Sequence, residues 1–498
     1  MKLMPRKLAF VMSLLLAGCD LAPKYSPPTL RMLPVSYKEG GVWQPATPSD
    51  TLKRGPWWQM YRHPLLNDLE TQLIAANPDL AAAVAHYDAY RDLAMELNAD
   101  LFPFVTSGAS TAQDKQSEQR PLRTAVQRTK TYYGAHEVQA NVFYEVDLWD
   151  KIHNRVNAGV ANAQAAAADL ASAQLSLQAD LADAFLSLRE LDRDIKLLSD
   201  TVAAYKRYLV IVQQRHTGEI ASGLEVSQAA FQIYAAQAEE SGILAQRAVY
   251  EHMIASLVGK PASAFTIEQK ITDIPVPVVP TGLPSALLQR RPDIAAAERR
   301  VAAANATIGV ARAAFYPSLD LNLTAGFNSS DSPMLLQAPF TFFSIGPSAF
   351  LPLFEGGLLN AQLARSVALW REASENYRAV VLQGFQQVEN GLSNMNLLTQ
   401  QDLQQQAAVK EALHTQSLAF DLYQGGAVNF LEVIVDQTAA LAAEQTEVFI
   451  KVNQLHASVS LIRALGGGWS TEQLPDRGEV LTITATDPNG PASPPPGL

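Results

Sequence analysis

An internal duplication constrains the fold of this 498-residue chain more than any other feature. The segment Pro78-Asp79-Leu80-Ala81-Ala82-Ala83 returns 214 residues later as Pro292-Asp293-Ile294-Ala295-Ala296-Ala297. The dipeptide Phe102-Pro103 returns at the same spacing as Tyr316-Pro317. Repetition at one fixed spacing indicates a structural unit that occurs twice.

The match continues through each half with small length changes. Leu224-Glu225-Val226 matches Leu431-Glu432-Val433 at a spacing of 207, and the segment 146–150 matches 351–355 at a spacing of 205. Each half predicts the order helix, strand, loop, strand, long helix, tight turn and helix. The fold class is therefore mostly α, with a duplicated β-hairpin.

The boundaries follow from composition. A Pro-rich connector, 261–291, joins a first repeat, 61–260, to a second, 292–469, because proline continues neither a helix nor a central strand. The remaining segments are predicted as a signal peptide over 1–18, a lipid-anchored linker over 19–60 and a disordered tail over 470–498. Within the repeats the predicted helices are 61–100, 155–258, 292–314 and 358–465, and the predicted β-hairpins are 101–150 and 316–354.

The long helices have a coiled-coil pattern. Residues 155–214 contain no proline, and apolar residues such as Leu177, Leu181, Ala184 and Leu188 alternate at spacings of four and three. Sixty helical residues reach about 90 Å, far more than a compact domain needs. The pattern predicts the wall of a tube; the alternative is a fibrous coiled coil, which leaves the paired strands unexplained.

The strands alternate in polarity. Leu319 to Phe327 places Leu, Ala and Phe on one face and Asp, Asn, Thr and Gly on the other, and residues 138–142 do the same in the first half. This pattern is typical of outer membrane barrels. Closed barrels need about eight strands, whereas one chain offers four. Several copies of the chain would therefore have to join their sheets to leave no free edge.

The N-terminus predicts export and lipidation. Basic residues and a short apolar run precede Leu16-Ala17-Gly18-Cys19, which resembles the lipobox of bacterial lipoproteins. Cys19 is the only cysteine, so an intramolecular disulfide is impossible. The alternative is a signal peptide with an incidental cysteine. A net charge of −11 argues against nucleic acid as a partner.

Several motifs resemble the outer membrane efflux factor family, the TolC-like and OprM-like channels. They include Arg290-Arg291-Pro292-Asp293-Ile294, the segment 311–318, and Ala464-Leu465-Gly466-Gly467-Gly468-Trp469. The resemblance covers nearly the whole mature chain. It implies a homotrimer whose twelve-stranded barrel in the outer membrane continues as a twelve-helix tunnel across the periplasm.

The resemblance also implies partners and a task. A periplasmic adaptor protein and an inner membrane pump would meet the tunnel tip, and the duct would export drugs or other toxic small molecules. An exit duct for protein secretion is the alternative within the same fold. A structural periplasmic coiled-coil lipoprotein is the alternative from another class.

The periplasmic aperture is expected at the turns Thr217–Gly223 and Gln424–Asn429. By resemblance, Glu225, Glu432 and Asp436 would supply acidic side chains at the constriction, and Tyr423 would help to hold it closed. Rings of carboxylates attract cations and repel anions. The alternative is that Glu225 and Glu432 only stabilise helix starts, where the helix dipole favours a negative charge.

Motifs for enzymatic chemistry are missing from the sequence. There is no phosphate-binding loop and no nucleophile elbow, and His136-Glu137 is not followed by a second histidine at zinc-binding spacing. We therefore expect no catalytic residue, no metal site and no cofactor, apart from a covalent lipid on Cys19.

Overall fold

The computed structural model describes residues 20–29, 36–39, 56–115, 117, 132–279, 287–330, 333 and 335–482. Cys19 and the predicted signal peptide lie outside these ranges. The helices are α1 (Pro64–Ala76), α2 (Pro78–Ala99), α3 (Lys151–Thr217), α4 (Gly223–Leu257), α5 (Leu287–Arg290), α6 (Pro292–Ala313), α7 (Leu358–Gln424), α8 (Phe430–Ala464) and α9 (Arg477–Val480). The strands are β1 (Phe104–Lys115), β2 (Tyr132–Glu145), β3 (Ser318–Ser329) and β4 (Thr341–Phe350).

The duplication extends to individual residues. Helices α2 and α6 both have 22 residues and begin 214 apart. The helices α3 and α7, with 67 residues each, begin 207 apart, as do α4 and α8, with 35 each. The left-handed residues before α3 and α7, Asp150 and Gly357, are also 207 apart. The sequence match of 146–150 with 351–355 is therefore displaced by two residues, and Trp149 corresponds to Gly356.

The predicted helix 61–100 is two helices, separated at Asn77. The Asn77 side chain accepts a hydrogen bond from the backbone N–H of Leu80, 2.8 Å away, and so caps α2. Pro78 at the first position of α2 has no N–H with which to continue α1. Helix α3 begins at Lys151 rather than at the predicted residue 155, because the Asp147 carboxylate accepts a hydrogen bond from the backbone N–H of Ile152.

The four strands form one antiparallel sheet in the order β1-β2-β3-β4. Its register pairs Val142 with Leu323 on one face and Asn141 with Thr324 on the other. The predicted alternation is therefore confirmed between the two hairpins. Among the described strands, β1 and β4 each pair along one edge only.

Helix α3 lies at the centre of the helical part. Phe185 and Leu181 on α3 are buried in one core with Leu66 and Leu69 of α1. Buried alanines on α3, such as Ala163 and Ala168, allow close helix packing. Within the part of the chain that the structure describes, no helix combines the length and the apolar character needed to cross a bilayer.

The connector is fixed to the helices by buried charges. Asp192 of α3 has no exposed surface and binds both Arg189 of α3 and Arg247 of α4. Arg247 also donates to the carbonyl of Ile267 at 2.7 Å, and the backbone N–H of Lys270 donates to Asp192 at 3.2 Å. The Pro-rich chain is therefore tied to the helices through its backbone.

Residues 470–482, which we predict as part of a disordered tail, are packed instead. Val480 of α9 is buried among residues of α2 and α3. Gln164 of α3 donates to the carbonyl of Pro475 at 2.9 Å, and Asp476 and Glu479 form a capping box for α9. An apolar anchor beside a short capped helix orders this segment despite its polar composition.

Candidate functional site

The site is built on two equivalent turns at the end of the long helices farthest from the sheet. Each turn has five residues, between α3 and α4 and between α7 and α8. Ile220 N–H donates to the Arg215 carbonyl at 2.8 Å, and Ala427 N–H donates to the Leu422 carbonyl at 2.9 Å. Each helix therefore ends in the same Schellman turn, which satisfies its last carbonyls.

Both turns need one residue with a left-handed backbone. Gly426 supplies it in the second turn with a φ of 76°, and Glu219 supplies it in the first with a φ of 58°. Glycine adopts this conformation without a steric cost, whereas a side chain opposes it. The first turn is therefore the strained copy of the second.

The following helices start with matching caps. Ser222 and Glu225 form a capping box, in which Glu225 N–H donates to Ser222 Oγ at 3.4 Å. Glu432 N–H donates to Asn429 Oδ1 at 3.1 Å. Glu225 and Glu432 thus both lie in the first turn of a helix, where the dipole favours a carboxylate.

An apolar cluster joins the two helix pairs beneath the turns. It consists of Val212, Ala229, Tyr423, Phe430 and Val433, all of them buried. The rings of Tyr423 and Phe430 lie 5.2 Å apart. The end of α7 is thereby packed against α3 and α4 as well as α8.

A polar link crosses the same junction. The hydroxyl of Tyr423 donates to Glu225 Oε2 at 2.8 Å. Burial raises the pKa of Tyr423 to about 12, and the bond to Glu225 acts in the same direction, whereas Arg215 opposes it. The hydroxyl therefore stays protonated and continues to donate at physiological pH.

Arg215 clamps the end of α7 from the opposite helix pair. Its guanidinium carbon lies 4.6 Å from the centre of the Tyr423 ring, and its Nη1 donates to the carbonyls of Tyr423 and Gln424 at 3.0 and 3.1 Å. A cation at a helix C-terminus and over an aromatic face is stabilising on both counts. The sequence offers one signal for this residue, a basic side chain in the last turn of α3, but not its partner 208 positions away.

The four residues predicted for the aperture fall into two groups. The structure brings Glu225 and Tyr423 into direct contact. Glu432 is exposed and Asp436 is half-buried one turn further along α8. Within the described residues, neither of these two side chains forms a hydrogen bond or an ion pair. Glu225 also accepts from the Ser222 N–H at 3.2 Å, so it both caps α4 and binds Tyr423.

At the opposite end, the segment that follows Cys19 is attached to the helices. Asp20 accepts a hydrogen bond from Asn154 at 2.9 Å, in the first turn of α3. Arg312 and Asn305 of α6 donate to the carbonyls of Leu21 and Pro23 at 3.1 and 2.7 Å. The chain next to the predicted lipidation position therefore lies where the helices meet the sheet.

One group of side chains near this junction has ligand atoms of the kind that bind metals. A carboxylate oxygen of Asp147, one of Asp150 and a ring nitrogen of His153 lie within 4.8 Å of one another. Asp147 already accepts hydrogen bonds from two backbone N–H groups and from His153. The arrangement is accounted for by capping of α3.

Comparison with known proteins identifies the family that shares this architecture. The family model for outer membrane efflux proteins matches residues 69–260 and 283–467, which is most of the chain. The chain belongs to the outer membrane efflux protein family. The family consists of outer membrane channel proteins, so this chain is an efflux channel of the cell outer membrane.

Relatives support the assignment along the length of this efflux channel. It is 30% identical to the pyoverdine export outer membrane protein OpmQ of Pseudomonas aeruginosa over 85% of this chain and 90% of that protein. It is 29% identical to the toluene efflux pump outer membrane protein TtgF of Pseudomonas putida, over 93% and 96%. The solved structure of the outer-membrane channel OprN superposes with a TM-score of 0.83 at 28% identity, over 91% of this chain and all of that one.

Proposed function

We propose that three copies of this efflux channel assemble side by side into one duct. Their four-stranded sheets close a barrel of twelve strands, and α3, α4, α7 and α8 of each copy continue it as a tunnel of twelve helices. Support comes from the free edges of β1 and β4, because an open edge in lipid leaves backbone groups without partners. Pairing β4 of one copy with β1 of the next removes every edge.

The two faces of the sheet suit such a wall. Phe343 and Ile345 of β4 are highly exposed in a single copy and share a face with Leu323. Asn322 and Ser348 lie on the other face, where Asn322 donates to Ser348 at 3.2 Å. Apolar residues facing lipid and polar residues facing water are the arrangement of an outer membrane pore.

The cargo follows from the relatives. Their names describe export of pyoverdine, toluene, solvents and antibiotics, and we propose that this duct passes drugs or other toxic small molecules from the periplasm to the exterior. A periplasmic adaptor and an inner membrane pump would bind the tunnel tip and supply the energy. A lipid on Cys19 would anchor the N-terminus, since Asp20 lies where helices and sheet meet.

Deletion of the gene in a strain without redundant ducts tests the cargo. Sensitivity to a panel of solvents, dyes and antibiotics should rise, and expression of the chain should restore resistance. Unchanged sensitivity to the whole panel would refute efflux. Loss of a secreted protein from the medium, with unchanged sensitivity, would establish the protein-secretion alternative.

The aperture proposal rests on the contact between Tyr423 and Glu225. This bond joins the two helix pairs of one copy beside their turns, so it favours the arrangement that keeps the turns together. Three copies would place it three times around the axis. Glu432 and Asp436, whose side chains bind no other described residue, would add the ring of negative charge that favours cations.

Single-channel recording in planar bilayers tests the aperture. A hydrogen bond to a charged group contributes about 1.5–3 kcal/mol, so Tyr423→Phe should raise the open probability about tenfold or more. Tyr234→Phe is the matched control, because Tyr234 is exposed on α4. The double variant Glu225→Gln and Glu432→Gln should lower cation preference. An unchanged open probability in Tyr423→Phe, together with an unchanged cation preference in the double variant, would exclude this site as the gate.

A further inference from the structure

The two β-hairpins are related by fixed shifts in residue number. A shift of 214 carries β1 onto β3, and a shift of 207 carries β2 onto β4. Applied to the pair Phe104–Phe143, the shifts give Ser318–Phe350, which is the observed pair. The register of the second hairpin therefore follows from the register of the first.

The same shifts apply to the boundary between hairpins. Inside one copy that boundary is the pairing of β2 with β3, for which Asn141–Thr324 is one pair. We propose that β4 pairs with β1 of a second copy in the equivalent register, so that Ser348 lies opposite Ser110 of that copy. This inference rests on the proposed trimer and specifies its subunit interface residue by residue.

A backbone hydrogen bond and two exposed residues at the free edges fit this register. The backbone N–H of Val146 donates to the carbonyl of Leu319 at 2.8 Å, just beyond β2. The equivalent bond joins Leu353 N–H to the carbonyl of Val105 of the second copy. Leu353 is 89% exposed and Val105 is 64% exposed in a single copy.

The exposure of these two residues supports a second copy as the occupant of each edge. Val105 lies on β1, and Leu353 follows the end of β4. The residue of the first half that corresponds to Phe354 is Asp147, which lies beyond the pairing of β2 with β3 and caps α3, so the register ends at Leu353. Pairing in this register therefore covers Leu353 and Val105, which are both highly exposed in a single copy.

Disulfide cross-linking tests the register. Side chains directly opposite in an antiparallel pair have Cβ atoms about 4.5–5.5 Å apart, whereas diagonal neighbours lie about 7–8 Å apart. The equivalents of Ser348 and Ser110 inside one copy are in contact, since Thr324 Oγ1 donates to Asn141 Oδ1 at 2.9 Å. The variant Ser348→Cys with Ser110→Cys should therefore oxidise to covalent trimers.

The control moves one cysteine by two residues on the same face. Ser348→Cys with Ala112→Cys should cross-link several-fold less under the same oxidant, on non-reducing gels of the full-length protein in outer membranes. The single variants measure any background from Cys19, the only native cysteine. A second in-register pair, Ala349→Cys with Ala109→Cys, covers the case in which the serine variants do not fold.

The outcomes separate the register from the assembly. In-register cross-linking by either pair, above the shifted control, supports the inference. Equal or stronger cross-linking by the shifted pair overturns the register while leaving the trimer standing. Light scattering of the wild-type protein in mild detergent decides the assembly: a monomer there overturns the proposed trimer and this interface together.

Discussion

Glu70 offers a direct test of the buried core around α1. Its side chain is 0% exposed, and neither carboxylate oxygen has a hydrogen-bond partner. Burial raises its pKa from an ordinary value of 4.5 to about 9. The folded protein therefore keeps this carboxyl protonated at neutral pH, because a bare charge in an apolar core is costly.

The free-energy cost follows from linkage. A pKa unit corresponds to about 1.4 kcal/mol, so holding Glu70 protonated at pH 7, above its ordinary pKa of 4.5, costs about 3.5 kcal/mol. Because the pKa of an acid is raised in the folded state, the stability is full below pH 4.5 and falls as pH rises toward 9. Glu70→Gln keeps the shape and removes the proton equilibrium.

Thermal unfolding in detergent, followed by circular dichroism at pH 5 and pH 8, measures the effect. Wild-type Tm should fall between these values, and Glu70→Gln should raise Tm at pH 8 and reduce the difference. Asp68→Asn, on an exposed carboxylate of the same helix, should leave the pH dependence unchanged. Identical pH profiles for wild type and Glu70→Gln would refute a protonated Glu70.

Two further predictions concern the turns and the connector. Glu219→Gly should stabilise the chain by about 1 kcal/mol, because glycine adopts the left-handed backbone without a steric cost, and Gly426→Ala should destabilise it by about the same amount. Denaturant unfolding of the two variants measures both changes in the free energy of unfolding. A loss of stability in Glu219→Gly would contradict the strain argument. Arg247→Met should cost about 1.5–3 kcal/mol, because it removes one charge-assisted hydrogen bond from Asp192, which keeps its contact with Arg189. Trypsin should then cleave after Lys270 faster than in wild type or in the exposed-site control Arg207→Met, and equal rates would show that Arg247 does not hold the connector.

Periodic patterns predicted the parts of this fold that depend on burial. The alternation around Leu323 and Asn141 gave the two faces of the sheet, and the spacing of Leu181 and Leu188 gave the buried side of α3. Burial leaves a periodic trace because each face must avoid or meet water along its whole length. Such patterns determine which residues share a face.

Local hydrogen bonds explain where those predictions stop. In each case a single side chain caps a backbone N–H. Asn77 does so at the break between α1 and α2, and Asp147 does so at the early start of α3. The order of residues 470–482 depends on a few isolated apolar residues, Leu474, Val480 and Leu481, in an otherwise polar segment. A window average does not detect single capping side chains or isolated apolar residues, and so the boundaries were wrong where individual contacts decide.

The sequence predicted residues of the site but not the contacts that they make. Repetition identified Glu225 and Glu432 as equivalent, yet in the structure only Glu225 meets a tyrosine. The difference arises because Tyr423 lies in the last turn of α7 and contacts the other helix pair, where Arg215 donates to its carbonyl. The residue 207 positions earlier is His216, which bonds to the carbonyl of Ala221 in its own turn. The two repeats share a backbone conformation but contribute different side chains, since the end of α3 supplies Arg215 and the end of α7 supplies Tyr423, to which Arg215 binds. Exchange of His216 and Tyr423 should therefore keep the helices and lose the hydrogen bond to Glu225.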